Sequence, residues 1–107
     1  MTWTEFVDEA ARRVAYDDWL EWARGHNDWP TEWECTVWLL RNMNDCISDD
    51  QLWTLAKQRP WAALVYCSAR LSNAQLLTLA QHAPWAALRY CYERLTDEQI
   101  KQLREIV

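Results

Sequence analysis

Two pairs of adjacent aspartates, Asp17–Asp18 and Asp49–Asp50, are the residues whose type and spacing could support acid–base catalysis. Two carboxylates work as such a pair when a pocket separates their pKa values. Both pairs stand instead where helices are predicted to begin, and the backbone dipoles favour a negative charge there. We therefore predict no catalysis at these aspartates and a protein that is not an enzyme.

The chain also contains residue types that bind metals, namely four cysteines and two histidines. His26 and His82 are isolated, and neither belongs to an HExxH motif or to a cysteine-pair zinc site. Cys67 and Cys91 occupy the same place in two similar segments, three residues after a leucine, which is typical of a small buried residue. We predict structural cysteines, no metal and no cofactor.

The charges are divided unequally between the two halves of the sequence. Residues 1–50 hold twelve acidic and four basic side chains, a net charge of −8, whereas residues 51–107 hold four acidic and seven basic ones, a net charge of +3. No acid occurs between Gln51 and Tyr92. Each half should therefore attract a different kind of partner.

An acidic, tryptophan-rich stretch, YDDWLEWARGHNDWPTEWE, covers residues 16–34. Exposed tryptophan is enriched at the energetic centres of protein interfaces, and carboxylates can compete with phosphates for a basic surface. The alternative is a solvated helix face whose tryptophans are packed inside. We predict a protein partner with a basic surface, which would contact Asp17, Asp18, Glu21, Trp22, Asp28, Trp29 and Glu32.

The acid-free stretch offers a second surface, on which tyrosines could stack on bases and cationic side chains could contact phosphates. Single-stranded nucleic-acid binding is therefore an alternative function. A third alternative is a self-associating structural protein, in which the acidic half of one copy meets the basic half of another. The candidate phosphate contacts are Lys57, Arg59, Arg70 and Arg89.

The elements that position these residues are set by a repeat of 24 residues. Residues 48–71 and 72–95 share the segments TLA and PWAAL, and each predicts two short helices, the first opened by a capping box and ended before a proline. Such units stack because each cannot bury its apolar side alone. The repeat also predicts that Trp61 and Trp85, at matched positions, are core residues, and that Trp53 lies at an exposed edge because Lys101 takes its place later.

We predict one all-α domain of about seven short helices, a short α-solenoid of two-helix repeats behind an N-terminal cap. A helix opened by Thr2 and Glu5 is expected to bury Val14, and a second to end in a left-handed cap at Gly25. After Pro30, Thr31 and Glu34 offer a capping box to the next helix. The parts are an acidic tryptophan-rich cap (1–30), an eroded repeat (31–47), two repeats (48–71 and 72–95) and a half repeat (96–107).

A short helix, a proline and a short helix every 24 residues, with "LA…PW" followed by "L(S/T)xxQL", resembles the leucine-rich repeat variant family of bacterial helical solenoids. The resemblance covers residues 48–107 and implies stacked short helices. The family's prototype is associated with an iron–sulfur cluster on closely spaced N-terminal cysteines. Cys35 and Cys46 stand eleven residues apart, so we expect no cluster here.

In general character, the chain is also similar to the anti-CRISPR inhibitors carried by phages, which are small, acidic and self-contained. This similarity implies an inhibitor that obstructs a nucleic-acid-handling complex. No run of about 18 apolar residues is present, and the start, MTWTEFVDEAARR, is acidic and amphipathic where a secretory signal would be basic and then apolar. We predict no membrane association and a cytoplasmic location.

Overall fold

A computed structural model describes residues 1–106, and Val107, the last residue of the predicted half repeat, lies outside them. Within 1–106 every regular element is helical, so the all-α prediction is confirmed, and none of the helices is long and apolar enough to cross a membrane. The described part of the chain contains eight α-helices where about seven were predicted: α1 (Trp3–Arg12), α2 (Asp17–Arg24), α3 (Thr36–Asn42), α4 (Asp49–Gln58), α5 (Pro60–Tyr66), α6 (Asn73–Ala80), α7 (Pro84–Tyr90) and α8 (Asp97–Ile106).

Capping boxes fix the beginnings of α1, α4, α6 and α8. The hydroxyl of Ser48 accepts a hydrogen bond from the backbone N–H of Gln51 at 3.2 Å, and the Gln51 side chain accepts one from the Ser48 N–H at 2.9 Å. Each box thereby satisfies two backbone donors that have no partner within the helix. The other predicted boxes form in the same way, at Thr2–Glu5, Ser72–Gln75 and Thr96–Gln99.

Prolines open the two short helices α5 and α7. Pro60 and Pro84 are their first residues, where the missing N–H is not needed and the fixed φ suits a helix. The apolar pattern predicts helix up to Leu71, but α5 ends at Tyr66 because the φ of Cys67, −128°, leaves the α-helical region. Short 3-10 turns follow α3, α5 and α7, at Asn44–Cys46, Ser68–Arg70 and Tyr92–Arg94.

Helices α3, α5 and α7 lie side by side in one layer, and the other helices of this part of the chain pack on it. Helix α4 contacts α3 and α5, α6 contacts α5 and α7, and α8 contacts α7, in a molecule that measures 46 × 22 × 22 Å. Fully buried alanines in α5 and α7 let the helices approach closely. The predicted apolar stripes are buried between the helices, at Leu52, Leu55, Ala56, Leu76, Leu79, Ala80, Ile100 and Leu103.

Matching hydrogen bonds link neighbouring copies of the 24-residue motif. The thiol of Cys67 donates to the carbonyl of Leu40 at 3.3 Å, and that of Cys91 donates to the carbonyl of Leu64 at 3.4 Å. Burial raises the pKa of the Cys67 thiol to about 11, so at neutral pH the group keeps the proton it donates. Both cysteines are buried, as predicted.

Arg70 and Arg94 form a second set of matching links. Arg70 donates to the carbonyls of Asn44 and Ile47, the latter at 3.0 Å, and to a carboxylate oxygen of Asp49 at 2.8 Å. Each guanidinium thus ties its own 3-10 turn to the preceding one. Arg94 makes the equivalent bonds 24 positions further along, to Ser68, Leu71 and Asn73.

Two turns near the N-terminus differ from the predictions. Gly25 has a φ of −75° and does not form the left-handed cap. Within residues 1–106, the positive φ angles belong to Val14, at 67°, and Cys35, at 54°. Val14 is also 82 % exposed and not part of the buried stripe, because α1 ends at Arg12 and the turn directs Val14 outward.

The helix predicted to start at Thr31 begins only at Thr36, as α3, and the chain is irregular from Pro30 up to that residue. Two tryptophans account for the difference. Trp33 packs on the N-terminal core, and the indole N–H of Trp19 donates to the carbonyl of Glu34 at 3.1 Å. These contacts stabilise an irregular conformation of residues 30–35 more than a capping box at Thr31 would stabilise a helix there.

Candidate functional site

A cluster of aromatic rings around Trp3 holds the first 35 residues together. Trp3 is 2 % exposed, and its indole N–H donates to the carbonyl of Ala23 at 2.9 Å. Aromatic contacts of this kind stabilise by about 0.5–1.5 kcal/mol each beyond burial, so the cluster is a rigid base for the surface above it. The ring centroids that lie between 5.3 and 6.4 Å from that of Trp3 belong to Phe6, Trp19, Trp22, Trp29 and Trp33.

The two tryptophans predicted to contact a partner belong to this cluster. Trp22 and Trp29 are half-buried, so only their outer parts are open to a partner. Trp53 is also half-buried and packs on the core, so its predicted position at an exposed edge is wrong. The Lys57 ammonium lies 5.8 Å from the Trp53 ring centroid and covers part of it.

The acidic side chains predicted to contact a partner are all exposed. Other acids of the N-terminal half, such as Glu9 and Asp45, form ion pairs with Arg13. Hydrogen bonds from Arg12 and Arg13 hold the pKa of Glu9 below its usual range, and those from Arg13 do the same for the pKa of Asp45. Within residues 1–106, none of the predicted acidic contacts forms an ion pair. These exposed and unpaired residues are Asp17, Asp18, Glu21, Asp28 and Glu32.

Two exposed apolar side chains stand directly before the acids of α2. Val14 is 82 % and Tyr16 is 61 % exposed. A β-branched residue with a positive φ is strained, and such strain is concentrated at functional sites. The apolar spacing of α1 predicts a buried Val14 and assigns no role to Tyr16. Neither the spacing of apolar residues nor the pattern of charges in the sequence indicates that the chain turns at Val14. Val14, Tyr16, Asp17, Asp18, Glu21, Asp28 and Glu32 together are named the acidic surface below.

Replacing Val14 by glycine is expected to stabilise the protein by about 1 kcal/mol and to raise Tm by about 5 °C. Val14 occupies the left-handed position of a helix-ending motif, in which Val14 N–H bonds to Ala11 and Ala15 N–H bonds to Ala10, both at 3.1 Å. Glycine takes this conformation without a steric penalty. Thermal unfolding followed by circular dichroism measures the change.

Val14→Ala is the control for this prediction. It removes most of the exposed apolar side chain but keeps the Cβ that makes a positive φ costly. We expect little gain from it. Equal stabilisation by alanine and glycine would show that the backbone conformation is not the cause.

A groove of about 730 Å³ lies between the segment before α3 and the α4–α5 junction. Glu32, a predicted contact to a protein partner, and Arg59, a predicted contact to phosphate, both line it. Cys35 lines it too, but burial and the neighbouring Glu34 raise the pKa of its thiol, which disfavours a reactive thiolate at neutral pH. The other lining residues are Tyr16, Trp33, Glu34, Thr36, Val37, Trp38, Arg41, Gln58 and Tyr66.

Of the four residues predicted to contact nucleic acid, three are exposed and one, Arg70, is engaged in internal hydrogen bonds. Lys57, Arg59 and Arg89 are exposed. Arg70 is half-buried and bonded to two carbonyls and to Asp49, so its guanidinium is already satisfied. The contacts of Arg70 indicate a structural role, which a count of basic residues does not reveal.

The matched tryptophans of the repeat form a stacked pair at the surface. Trp61 and Trp85 have ring centroids 6.2 Å apart and an interplanar angle of 29°. Trp61 is half-buried, but Trp85 is 51 % exposed, so its predicted place in the core is wrong. The reason is the packing direction: α7 buries Ala86 and Ala87 and leaves the Trp85 indole mostly outside, whereas the Trp61 indole of α5 still packs partly against the core.

Within residues 1–106, no group of three or more histidine, cysteine, aspartate or glutamate side chains is arranged to hold a metal ion. The four cysteines are free thiols. No protein-family model, no curated protein and no solved structure matches this chain. The surfaces of the molecule are therefore the guide to its function.

Proposed function

We propose that this chain is a non-enzymatic protein-binding module and that the acidic surface is where its partner binds. The observation that carries the proposal is the pairing of two features in one place. Val14 and Tyr16 are exposed on a strained turn, and the unpaired carboxylates of Asp17, Asp18 and Glu21 follow directly. An apolar anchor bordered by charge is the usual anatomy of a protein interface.

The chemistry of the acidic surface selects a partner with a basic surface. Carboxylates that lack an internal cation gain most when a partner supplies one, and the attraction also speeds the encounter. Basic surfaces are typical of proteins that handle nucleic acids. We therefore propose an inhibitor of the anti-CRISPR kind, which would occupy such a surface in place of phosphates.

The repeat supplies the rigid body of this module in our proposal. We infer that residues 48–107 are stacked two-helix units of a short α-solenoid, behind the cap and the eroded unit. The matching thiol and guanidinium bonds at 24-residue intervals support this arrangement. A rigid body favours binding because little conformational entropy is lost when the partner docks.

Capture of partners from a lysate of the host cell tests the proposed function. Wild-type protein on beads is compared with the triple variant Asp17→Lys, Asp18→Lys, Glu21→Lys and with Val14→Gly, which should fold at least as stably as wild type. We expect a basic, nucleic-acid-handling protein to be retained by wild type only, with retention lost between 0.1 and 0.5 M salt, since screening weakens exposed charge pairs. The purified partner should then lose its nucleic-acid binding when the wild-type protein is added.

The matched control is Glu98→Lys, which reverses an exposed acid in the first turn of α8. It should leave capture unchanged. Capture that is equally strong with the triple variant, or equally weak with Glu98→Lys, would contradict a specific role for the acidic surface. If light scattering shows salt-dependent self-association that the triple variant abolishes, the structural alternative replaces the inhibitor.

A further inference from the structure

One layer of the molecule has no acidic residue on any of its helices. The sequences of α3, α5 and α7 are TVWLLRN, PWAALVY and PWAALRY. These three helices are adjacent, since α5 contacts both α3 and α7. Arg41 and Arg89 are exposed on them, and Arg59 stands exposed at the start of α5. The layer is therefore positive although the chain as a whole carries −5.

The most exposed apolar residues of this layer are aromatic. Tyr66, Trp85 and Tyr90 are the exposed large apolar side chains of α3, α5 and α7, whereas the aliphatic Val37, Val65 and Leu88 are half-buried. Protein interfaces mix aliphatic and aromatic contacts, whereas surfaces for single-stranded nucleic acid combine aromatic platforms with cationic groups. The composition of this layer corresponds to the second kind.

The aromatic and cationic groups are also arranged next to each other. The guanidinium of Arg41 lies 5.8 Å from the ring centroid of Tyr66, and that of Arg89 lies 5.5 Å from that of Tyr90. Arg89 and Trp85 are four residues apart on α7 and so share one face of the helix. Trp61 supports the Trp85 ring from beneath, at 6.2 Å. A base stacked on Trp85 would have its phosphate within reach of Arg89.

We propose that the exposed surface of α5 and α7 around Arg89 binds single-stranded nucleic acid, with bases stacked on Trp85 and Tyr90 on either side of Arg89 and phosphates held by Arg89, Arg59 and Arg41. Acidic residues, which repel phosphates, limit the length of the proposed nucleic-acid site at both ends. Glu34 lines the groove beside Arg41, and Glu93 lines the groove beyond Tyr90. The strand therefore crosses α5 and α7, a length that holds only a few nucleotides. The site adjoins the acidic surface in the groove that Tyr16 and Glu32 share with Arg41 and Arg59. Trp85 and Arg89 lie outside that groove, so variants at these two residues test this proposal independently of the first.

Fluorescence anisotropy with a labelled 15-residue oligothymidylate tests the inference on the full chain. We expect binding at 25 mM salt that weakens steeply by 150 mM, because phosphate contacts release counterions. Trp85→Ala should weaken binding roughly 5- to 160-fold, the range for loss of one base–aromatic stack. Arg89→Gln should weaken it and lower the salt slope by about 0.7, the share of one phosphate in a single strand. An oligouridylate of equal length shows whether RNA or DNA is preferred.

The control variant is Arg104→Gln, an exposed arginine on α8 that is outside the layer; it should bind like wild type. Circular dichroism establishes that each variant is folded. A 15-residue polyglutamate is the control ligand, since it carries negative charge without bases. No binding at 25 mM salt, equal binding of duplex and single strand, equal binding of polyglutamate, or equal losses for Arg104→Gln and Arg89→Gln would each overturn the inference.

Discussion

Replacing Trp3 by alanine is expected to lower the free energy of unfolding by about 3–5 kcal/mol, the range for a large aromatic side chain removed from a core. A domain of this size has a total stability of roughly 5–15 kcal/mol, so the variant should be close to unfolded. Trp3 contacts five other aromatic rings and donates to the carbonyl of Ala23, so its loss opens a cavity and removes one hydrogen bond, although the carbonyl keeps the bond from the His26 N–H.

Urea unfolding followed by tryptophan fluorescence and by far-ultraviolet circular dichroism measures this change. The matched control is Trp85→Ala, which removes the same side chain from an exposed position and should cost about 1 kcal/mol, mainly from its stack on Trp61. Equal losses for the two variants would contradict the central place of Trp3. If the fluorescence transition moves to lower urea while the circular dichroism transition does not, the cap unfolds separately from the repeats.

Leu64→Ala is expected to destabilise the protein by about 2–5 kcal/mol. Leu64 is 0 % exposed on α5, the helix that contacts α3, α4, α6 and α7. Because Leu64 is fully buried on a helix that packs against four others, collapse of the surroundings is restricted and the cost should fall in the upper part of the range. Its carbonyl accepts the Cys91 thiol bond, which the substitution leaves in place.

The repeat provides its own control for this substitution. Leu88 holds the same position one copy later but is only half-buried, so Leu88→Ala should cost about half as much, in proportion to the apolar area that leaves water. Chemical denaturation of both variants under identical conditions gives the comparison. A larger loss of stability for Leu88→Ala than for Leu64→Ala would contradict the deeper burial of Leu64.

The two proposed surfaces place different demands on stability. Val14 is strained where the acidic surface begins, so Val14→Gly should stabilise the fold and weaken partner capture, a trade common at binding sites. Trp85 is exposed with little strain, so its removal should affect nucleic-acid binding far more than folding. A comparison of stability and binding in these two variants therefore separates the surfaces.

Some features of the chain follow from local chemistry and were predicted correctly. A hydroxyl three residues before a glutamine or glutamate fixes a helix start through bonds that span one turn, so the boxes at Ser48 and Ser72 needed no knowledge of the fold. Pro60 and Pro84 set the starts of α5 and α7 for the same reason. The apolar spacing of α4 and α6 likewise identified which faces are buried.

Other features depend on contacts between residues far apart in sequence. Thr31 and Glu34 have the spacing of a capping box, but Trp33 and the bond from Trp19 hold that segment irregular. Arg70 has the charge of a phosphate ligand, but its hydrogen bonds reach back more than twenty residues and make it structural. Exposure of Trp85 follows from which side of α7 faces α5. The repeat predicts a core position for both matched tryptophans, but matched positions establish only that two residues are equivalent and not that they are buried.

The sequence alone thus determined that the chain is helical, where most of its helices begin, and that the leucines of α4 and α6 facing the core, with Cys67 and Cys91, lie inside, because these depend on interactions within a turn or two. Only the tertiary structure decided which tryptophans are buried, which arginines are available, and that Val14 and Tyr16 stand exposed beside the acids. Exposure is a property of a side chain and of everything packed around it, and distant parts of the chain supply most of that packing.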